Sequence, residues 1–345
     1  MIPLQAHVRG MALAFPEFTV TQDMALEVAA MLAPRWAARP SLRNVYLNAR
    51  IDQRHVVLPP EAYRERLSAG QKAALFKQHS RELATQASRA ALTRAKLSAD
   101  EIDAVVVVTT SGFVTPSLAV AVALDLNLKP EAAQVPLVGY GCAGGVLGLA
   151  RAAELVNAGY RNVLLVNVEL CTLNALHGDD TKSNVVAIAL FSDGASAAII
   201  SRDGPGPRVL HHHNTLLHDT ENIMGWNTTD DGLQVIFDVA VPDVVLAHLP
   251  GSLERAFQTF GVTRDDIQHF LPHPGGVKVL NAINEVIAPH QVAPESWETL
   301  RTKGNMSSVS VMAVLHDAIE NGKHGLSLLT AMGPGFNIGH LLVKL

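Results

Sequence analysis

The sequence predicts an α/β fold made from one unit used twice, and three internal correspondences carry that expectation. Ser98-Ala99-Asp100-Glu101-Ile102 leads into the apolar run Ala104 to Val108, and Thr263-Arg264-Asp265-Asp266-Ile267 leads into Phe270-Leu271. Amphipathic helical patterns precede both, Leu83 to Leu92 in one case and Leu246 to Phe257 in the other. A helix that opens at Gly141-Cys142 and closes near Asn157-Ala158-Gly159 comes before the strand Val163 to Val166. In the same way, one that opens at Gly304-Asn305 and closes near Asn321-Gly322 comes before the strand Leu326 to Leu329. A repeated order of apolar runs and turns marks a duplication, and it divides the chain into halves 1–204 and 205–345.

Duplication puts Cys142 and Asn305 at equivalent helix starts facing a common centre. Cys142 sits in Gly141-Cys142-Ala143-Gly144-Gly145, just after the apolar run Val135 to Val138. First-turn amides and the positive end of a helix favour thiolate there; a buried structural cysteine is the competing reading. The third group is His273. It lies in Pro272-His273-Pro274-Gly275-Gly276, where the second half's strand runs out beside the place at which Thr109-Thr110-Ser111-Gly112 ends its counterpart. Strand ends carry the sites of α/β sheets, and flanking prolines and glycines make a rigid turn that holds the ring in one direction. Cysteine with histidine and an amide side chain is a recurrent nucleophilic arrangement.

Composition excludes other classes. The 345 residues carry a net charge of -5 and no Lys/Arg-rich run, so no basic surface is offered to nucleic acid. No apolar stretch approaches the ~20 residues that span a bilayer, and Met1 to Phe18 lacks the charged-then-apolar order of a signal peptide. The expectation is a cytoplasmic protein with no membrane span. Two cysteines invite a disulfide, yet a catalytic thiol cannot be held in a bridge. No metal site is expected: His211-His212-His213 point to alternate faces of an extended segment and read as an exposed strand start. No phosphate-binding loop or paired-cysteine zinc pattern is present.

Six segments together resemble the type III polyketide synthases of the thiolase superfamily, typified by chalcone synthase and the bacterial alkylpyrone and alkylresorcinol synthases. They are Thr109-Thr110-Ser111-Gly112, Gly141-Cys142-Ala143-Gly144-Gly145, Ala189-Leu190-Phe191-Ser192-Asp193-Gly194-Ala195, His273-Pro274-Gly275-Gly276, Gly304-Asn305-Met306-Ser307-Ser308 and Gly333-Pro334-Gly335-Phe336. The resemblance covers most of the chain and implies a thiolase-like fold, two βαβαβ-type halves forming a layered α-β-α-β-α core. Ketoacyl synthase III shares a Cys, His, Asn triad but typically continues after the histidine with Gln-Ala-Asn, whereas this chain has Pro-Gly-Gly. A ketoacyl synthase III-like enzyme performing a single condensation stands as the alternative. An inactive thiolase-fold partner subunit is a second, although it would be marked by loss of a triad residue.

The resemblance implies that Cys142 carries the starter as a thioester, while His273 and Asn305 serve decarboxylation of malonyl-CoA. Coenzyme A thioesters are the substrates, and no further cofactor is implied. It also implies that Phe191 stands near the decarboxylation site and that Val235, in Gly232-Leu233-Gln234-Val235, replaces a second gating phenylalanine. Thr110, Cys171, Asn174 and Ala187 would line the cavity, with a plain core cysteine as the other reading of Cys171. Small and medium residues at these places lean towards a fatty acyl starter rather than a coumaroyl group. Gly333, Pro334 and Gly335 complete the substrate-facing set. The basic residues of the family's tunnel mouth are replaced by Ser41, Asn44 and Asn48, with Arg50 and Arg54 further on. Lys278 is then the candidate for the nucleotide phosphates, and an acyl carrier protein donor would also fit. A homodimer is implied, in which Phe113-Val114-Thr115-Pro116 extends Thr115 towards the partner's cavity.

Overall fold

The computed structural model describes residues 4–345. Among them a nine-stranded mixed sheet runs in the order His269–Pro272, Leu326–Gly333, Asn337–Lys344, Arg208–Leu216, Ala6–Ala14, Asp193–Ser201, Asn162–Leu170, Ala104–Thr109 and Ala133–Val138. Only two residue pairs, Ala6 with Val209 and His7 with Arg208, join its two parts in the middle. On one side, 104–109 lies parallel to 162–170, which runs antiparallel to 193–201 and through it to 6–14. On the other, 269–272 lies parallel to 326–333, which runs antiparallel to 337–344 and through it to 208–216. Strands 104–109, 162–170, 193–201 and 6–14 thus correspond in order to 269–272, 326–333, 337–344 and 208–216, while 133–138 is an extra edge strand of the first part.

Helices fill the layers between and outside. Gly144–Asn157 and Ser308–Glu320 pack on each other in the middle, while Ala69–Ala95 covers the outer face of the first part and Val241–Phe260 that of the second. This is the layered α-β-α-β-α arrangement expected of a thiolase-like fold. Strands 104–109 and 162–170 are buried at every residue, as strands covered on both faces must be, and so read as mostly apolar runs. The repeated entry segments are both closed by capping boxes, Ser98 with Glu101 and Thr263 with Asp266. Each acidic side chain accepts from the cap backbone N–H, at 2.9 and 2.7 Å.

Two expectations shift. The second central helix begins at Ser308, three residues after Asn305, because the backbone at Ser307 turns to φ +49° before the helix can start. His211, His212 and His213 are not an exposed strand start: they are half-buried inside the strand Arg208–Leu216, which pairs with Asn337–Lys344. His213 stacks on the buried His340 ring at 6.4 Å. Among the described residues no cluster of side chains could hold a metal ion, and no helix is long and apolar enough to cross a membrane.

Candidate active site

Cys142 occupies a single 3-10 turn, Gly141–Ala143, that leads directly into the central helix. The turn is wedged against the segment after the strand Leu326–Gly333. A side chain on Gly141, whose φ is +50°, would meet Pro334 Cδ at 2.5 Å, and one on Gly333 would meet the Tyr140 carbonyl oxygen at 2.2 Å. The predicted residues Gly333 and Pro334 therefore act by close packing behind the nucleophile, and Gly335 follows at φ +122°. Thr110 also serves the turn: its Oγ1 accepts from Gly141 N at 2.8 Å.

Asn305 approaches from the other half. Its Oδ1 accepts from Ser307 N at 2.9 Å, which turns the amide nitrogen outward, and Nδ2 donates to the Gly275 carbonyl at 3.2 Å. Backbone bonds at 2.9 Å hold it on both sides, Asn305 N to the Leu190 carbonyl and Ser192 N to the Asn305 carbonyl, beside Phe191. The side chains of Ser307 and Asn305 stand by the Cys142 thiol and favour its ionised form. His273, two residues from Gly275, is fixed by its N–H to the Thr330 carbonyl at 2.7 Å, and both ring nitrogens are buried with no protein partner. The structure thus brings the three predicted catalytic side chains to one place at the joint of the two halves.

Electrostatics at this joint differ from the expectation of a thiolate favoured by the helix start alone. Burial pushes the Cys142 thiol up to about 12, with Glu169 adding to the push and Ser307 and Asn305 opposing it. Burial alone takes His273 down to about 3. Desolvation outweighs the helix end because each charge, taken singly, would stand in an apolar site without a partner.

Glu169 is the site residue that the sequence reading passed over. It is the next-to-last residue of a strand of nine buried residues and accepts four hydrogen bonds: Thr110 N and Ser111 N at 3.0 Å, Ser111 Oγ and Ser308 Oγ at 2.7 Å. Burial raises its carboxyl and these donors oppose the rise. One carboxyl so ties the end of strand 104–109 to the start of the helix Ser308–Glu320. A lone acidic residue closing an otherwise apolar run was the available signal.

Beside the triad lies a narrow apolar cavity lined by Cys171, Asn174, Ala187 and Phe191, all four anticipated, and also by Arg54, Tyr63 and Trp226. Thr110, Val235, Lys278 and Thr115 do not line it. Val235 is buried in the hairpin of Met224–Thr229 with Gly232–Phe237, directly across from Trp226. Trp226 meets Phe191 at 5.9 Å, so an aromatic wall persists where the sequence implied open room. Lys278 is exposed on the first turn of the helix Val277–Ile287, and Thr115 is exposed beside Phe113, which is 74% exposed. Arg54 does not belong to a basic tunnel mouth, being only 2% exposed.

A cysteine, a histidine and an amide at the joint of a duplicated α/β fold, with an apolar cavity alongside, define an acyl-transferring condensing enzyme. A family model for chalcone and stilbene synthases, N-terminal domain, matches residues 42–205, and one for the C-terminal part of 3-oxoacyl-[acyl-carrier-protein] synthase III matches residues 257–345. A 1,3,6,8-tetrahydroxynaphthalene synthase from Streptomyces peucetius subsp. caesius is 35% identical over 95% of this chain and 90% of its own length. The alpha-pyrone synthesis polyketide synthase-like Pks18 of Mycobacterium tuberculosis is 28% identical over 98% and 90%. The crystal structure of 1,3,6,8-tetrahydroxynaphthalene synthase from Streptomyces coelicolor A3(2) superposes with a TM-score of 0.90 at 24% identity, covering 100% of this chain and 99% of that one. The chain belongs to the type III polyketide synthases, acyltransferases that build carbon chains by decarboxylative condensation.

Proposed function

We propose that the protein loads an aliphatic, fatty acyl-type starter from coenzyme A onto Cys142, extends it with malonyl-CoA and closes the chain to an alkylpyrone or alkylresorcinol-type product. The observation that carries this reading is the junction of two sites: Phe191 is bridged to Asn305 on its backbone and contributes to the apolar cavity that Cys171, Asn174 and Ala187 line. An acyl group held on Cys142 thus has an apolar channel beside it.

Loading begins when the Cys142 proton passes to His273 and the sulfur attacks the starter thioester. The carbon–sulfur bond to coenzyme A breaks, and the departing thiolate takes the proton back from the ring. Malonyl-CoA then loses carbon dioxide, and the electron pair of the broken carbon–carbon bond moves onto the thioester oxygen as an enolate. His273, neutral through burial and with both nitrogens unclaimed, and Nδ2 of Asn305 are the donors for that oxygen. The enolate carbon attacks the Cys142 acyl group and frees the thiolate, lengthening the chain by two carbons. Attack of a chain enol oxygen on the terminal thioester carbonyl closes a pyrone as the carbon–sulfur bond breaks and the enol proton passes to the departing thiolate.

These steps call for no group beyond the thioesters. We assign Lys278 to the coenzyme A phosphates and Thr115 to the partner's cavity in a homodimer. A fully active monomer in sedimentation would remove the second assignment. The test of the function is mass spectrometry of products from malonyl-CoA with a ladder of acyl-CoA starters, Cys142→Ala alongside. Tri- and tetraketide pyrones or resorcinols that vanish in the variant are expected. Single-extension acids with the same dependence would instead establish the ketoacyl synthase reading.

A further inference from the structure

Arg54 is the most discordant group in the molecule. It lies in the strand Gln53–Val56, 2% exposed, on the wall of the apolar cavity beside the triad. One of its nitrogens is satisfied, Nη1 donating to the Ile188 carbonyl at 2.5 Å. Nε and Nη2 are buried and have no partner. Among the described residues no carboxylate pairs with it, and the titratable group it faces is the Tyr46 hydroxyl, which burial keeps neutral and which bonds to the Val185 carbonyl at 3.4 Å.

Tyr63, Thr172 and Asn174 on the cavity wall each have a partner. Tyr63 Oη meets Thr172 Oγ1 at 2.6 Å, Thr172 Oγ1 donates to Asp193, and Asn174 Nδ2 donates to the Ser111 carbonyl at 2.7 Å. Among the fully buried side-chain polar atoms of the wall, only those of this guanidinium lack a partner. Its two vacant nitrogens, Nε and Nη2, form one edge of the planar fork, whose parallel N–H pair matches both oxygens of a carboxylate. Leaving a buried cation without its counter-charge is costly, and a bidentate anion with the same spacing removes that cost. A methyl-ended chain in the same cavity would leave the fork empty.

We propose that Arg54 receives the far-end carboxylate of a dicarboxylic acyl starter, so that the enzyme selects aliphatic acyl thioesters ending in a carboxylate over those ending in a methyl group. This rests on the function proposed above and names the class of its starter. The starter thioester reacts at Cys142 while the opposite end of the chain is held by the Arg54 fork. The wall between, Cys171, Ala187 and Phe191, contacts the methylene chain.

The experiment measures kcat/KM for succinyl-, adipoyl- and suberoyl-CoA against butyryl-, hexanoyl- and octanoyl-CoA, each with malonyl-CoA, with malonyl-CoA alone as the baseline. In the wild-type enzyme at least one dicarboxylic starter is expected to exceed its methyl-ended counterpart by about tenfold or more. Arg54→Met, which keeps an apolar stem, is expected to reverse that preference. Arg54→Lys, which keeps the charge but loses the fork, is expected to fall between. The wild-type panel decides the matter even if a variant fails to fold. Methyl-ended starters equal to or better than the dicarboxylic ones in the wild type would overturn the assignment. So would an unchanged preference in a folded Arg54→Met enzyme, which would leave Arg54 a structural group. Ring products from methyl-ended starters with no dicarboxylic preference would overturn this inference and keep the proposed function; absence of any polyketide from every starter would overturn both.

Discussion

The two central helix starts are equivalent in the repeat yet hold their reactive side chains by opposite devices. At Cys142 the chain solves the problem with absent side chains: Gly141 takes φ +50° and lies against Pro334, and Gly333 lies against the Tyr140 carbonyl. At Asn305 it solves the same problem with hydrogen bonds, Oδ1 to Ser307 N and Nδ2 to the Gly275 carbonyl. The positive φ is taken by Ser307, a residue for which that conformation costs on the order of 1–3 kcal/mol. A nucleophile needs room for substrate in front and rigid backing behind. An amide donor needs its orientation fixed, because a rotated amide presents oxygen instead of nitrogen. Corresponding positions in the fold are thus held by different means.

The comparison breaks most severely at the chemistry. Cys142→Ala is expected to abolish product outright, since no covalent carrier remains. Asn305→Ala, losing one donor, is expected to lower kcat by roughly 10²–10³, or about 2.7–4 kcal/mol of barrier. Steady-state assays of the two variants check the asymmetry, and equal losses would show that both starts serve only the fold. Gly333→Ala should come next. Its new carbon would overlap the Tyr140 carbonyl, so the Cys142 turn must shift; a melting temperature and activity both close to wild type would refute the wedge.

Glu169 joins the halves, and its removal is expected to cost on the order of 3 kcal/mol, because Glu169→Ala leaves four donors buried without an acceptor. Urea denaturation measures it. Glu169→Gln, which retains one acceptor oxygen, should lose less.

His273→Ala sharpens the account of the thiol. A thiol whose value is raised by burial becomes thiolate only as pH climbs. With the ring gone, alkylation of Cys142 by iodoacetamide should therefore rise by about tenfold per pH unit from pH 7 to 9 and be slower than wild type at pH 7. A variant as reactive as wild type at pH 7 would show that the ring takes no part in ionising the sulfur. The smallest effect tests the repeat itself. Ser98→Ala and Thr263→Ala remove corresponding capping boxes, and each is expected to cost about 1 kcal/mol by thermal unfolding.

Much of this architecture was legible in the chain because it depends on local pattern. Apolar runs bounded by the two capping segments marked the repeated strands, and glycine-rich turns marked the helix starts. From there Cys142, His273 and Asn305 followed as residues at the ends of repeated elements. Less legible were residues whose importance comes from partners distant in sequence. Glu169 looks like the close of an apolar strand until Ser111 and Ser308 are seen to donate to it. Val235 was the expected cavity wall, and its cross-strand neighbour Trp226 took that place because a hairpin pairing decides which side chain advances. His211 to His213 looked exposed because alternation along one strand says nothing about the strand that covers it.

What the sequence by itself determined, then, is the α/β plan of repeated elements and the place of Cys142, His273 and Asn305 at the ends of those elements, since period, turn chemistry and residue type are properties of neighbours along the chain. Only the tertiary structure decided the charge state of Cys142 and His273, the four-donor seat of Glu169 and the empty fork of Arg54. Those depend on desolvation and on which polar atoms meet across elements, and both are set when the two halves close on each other.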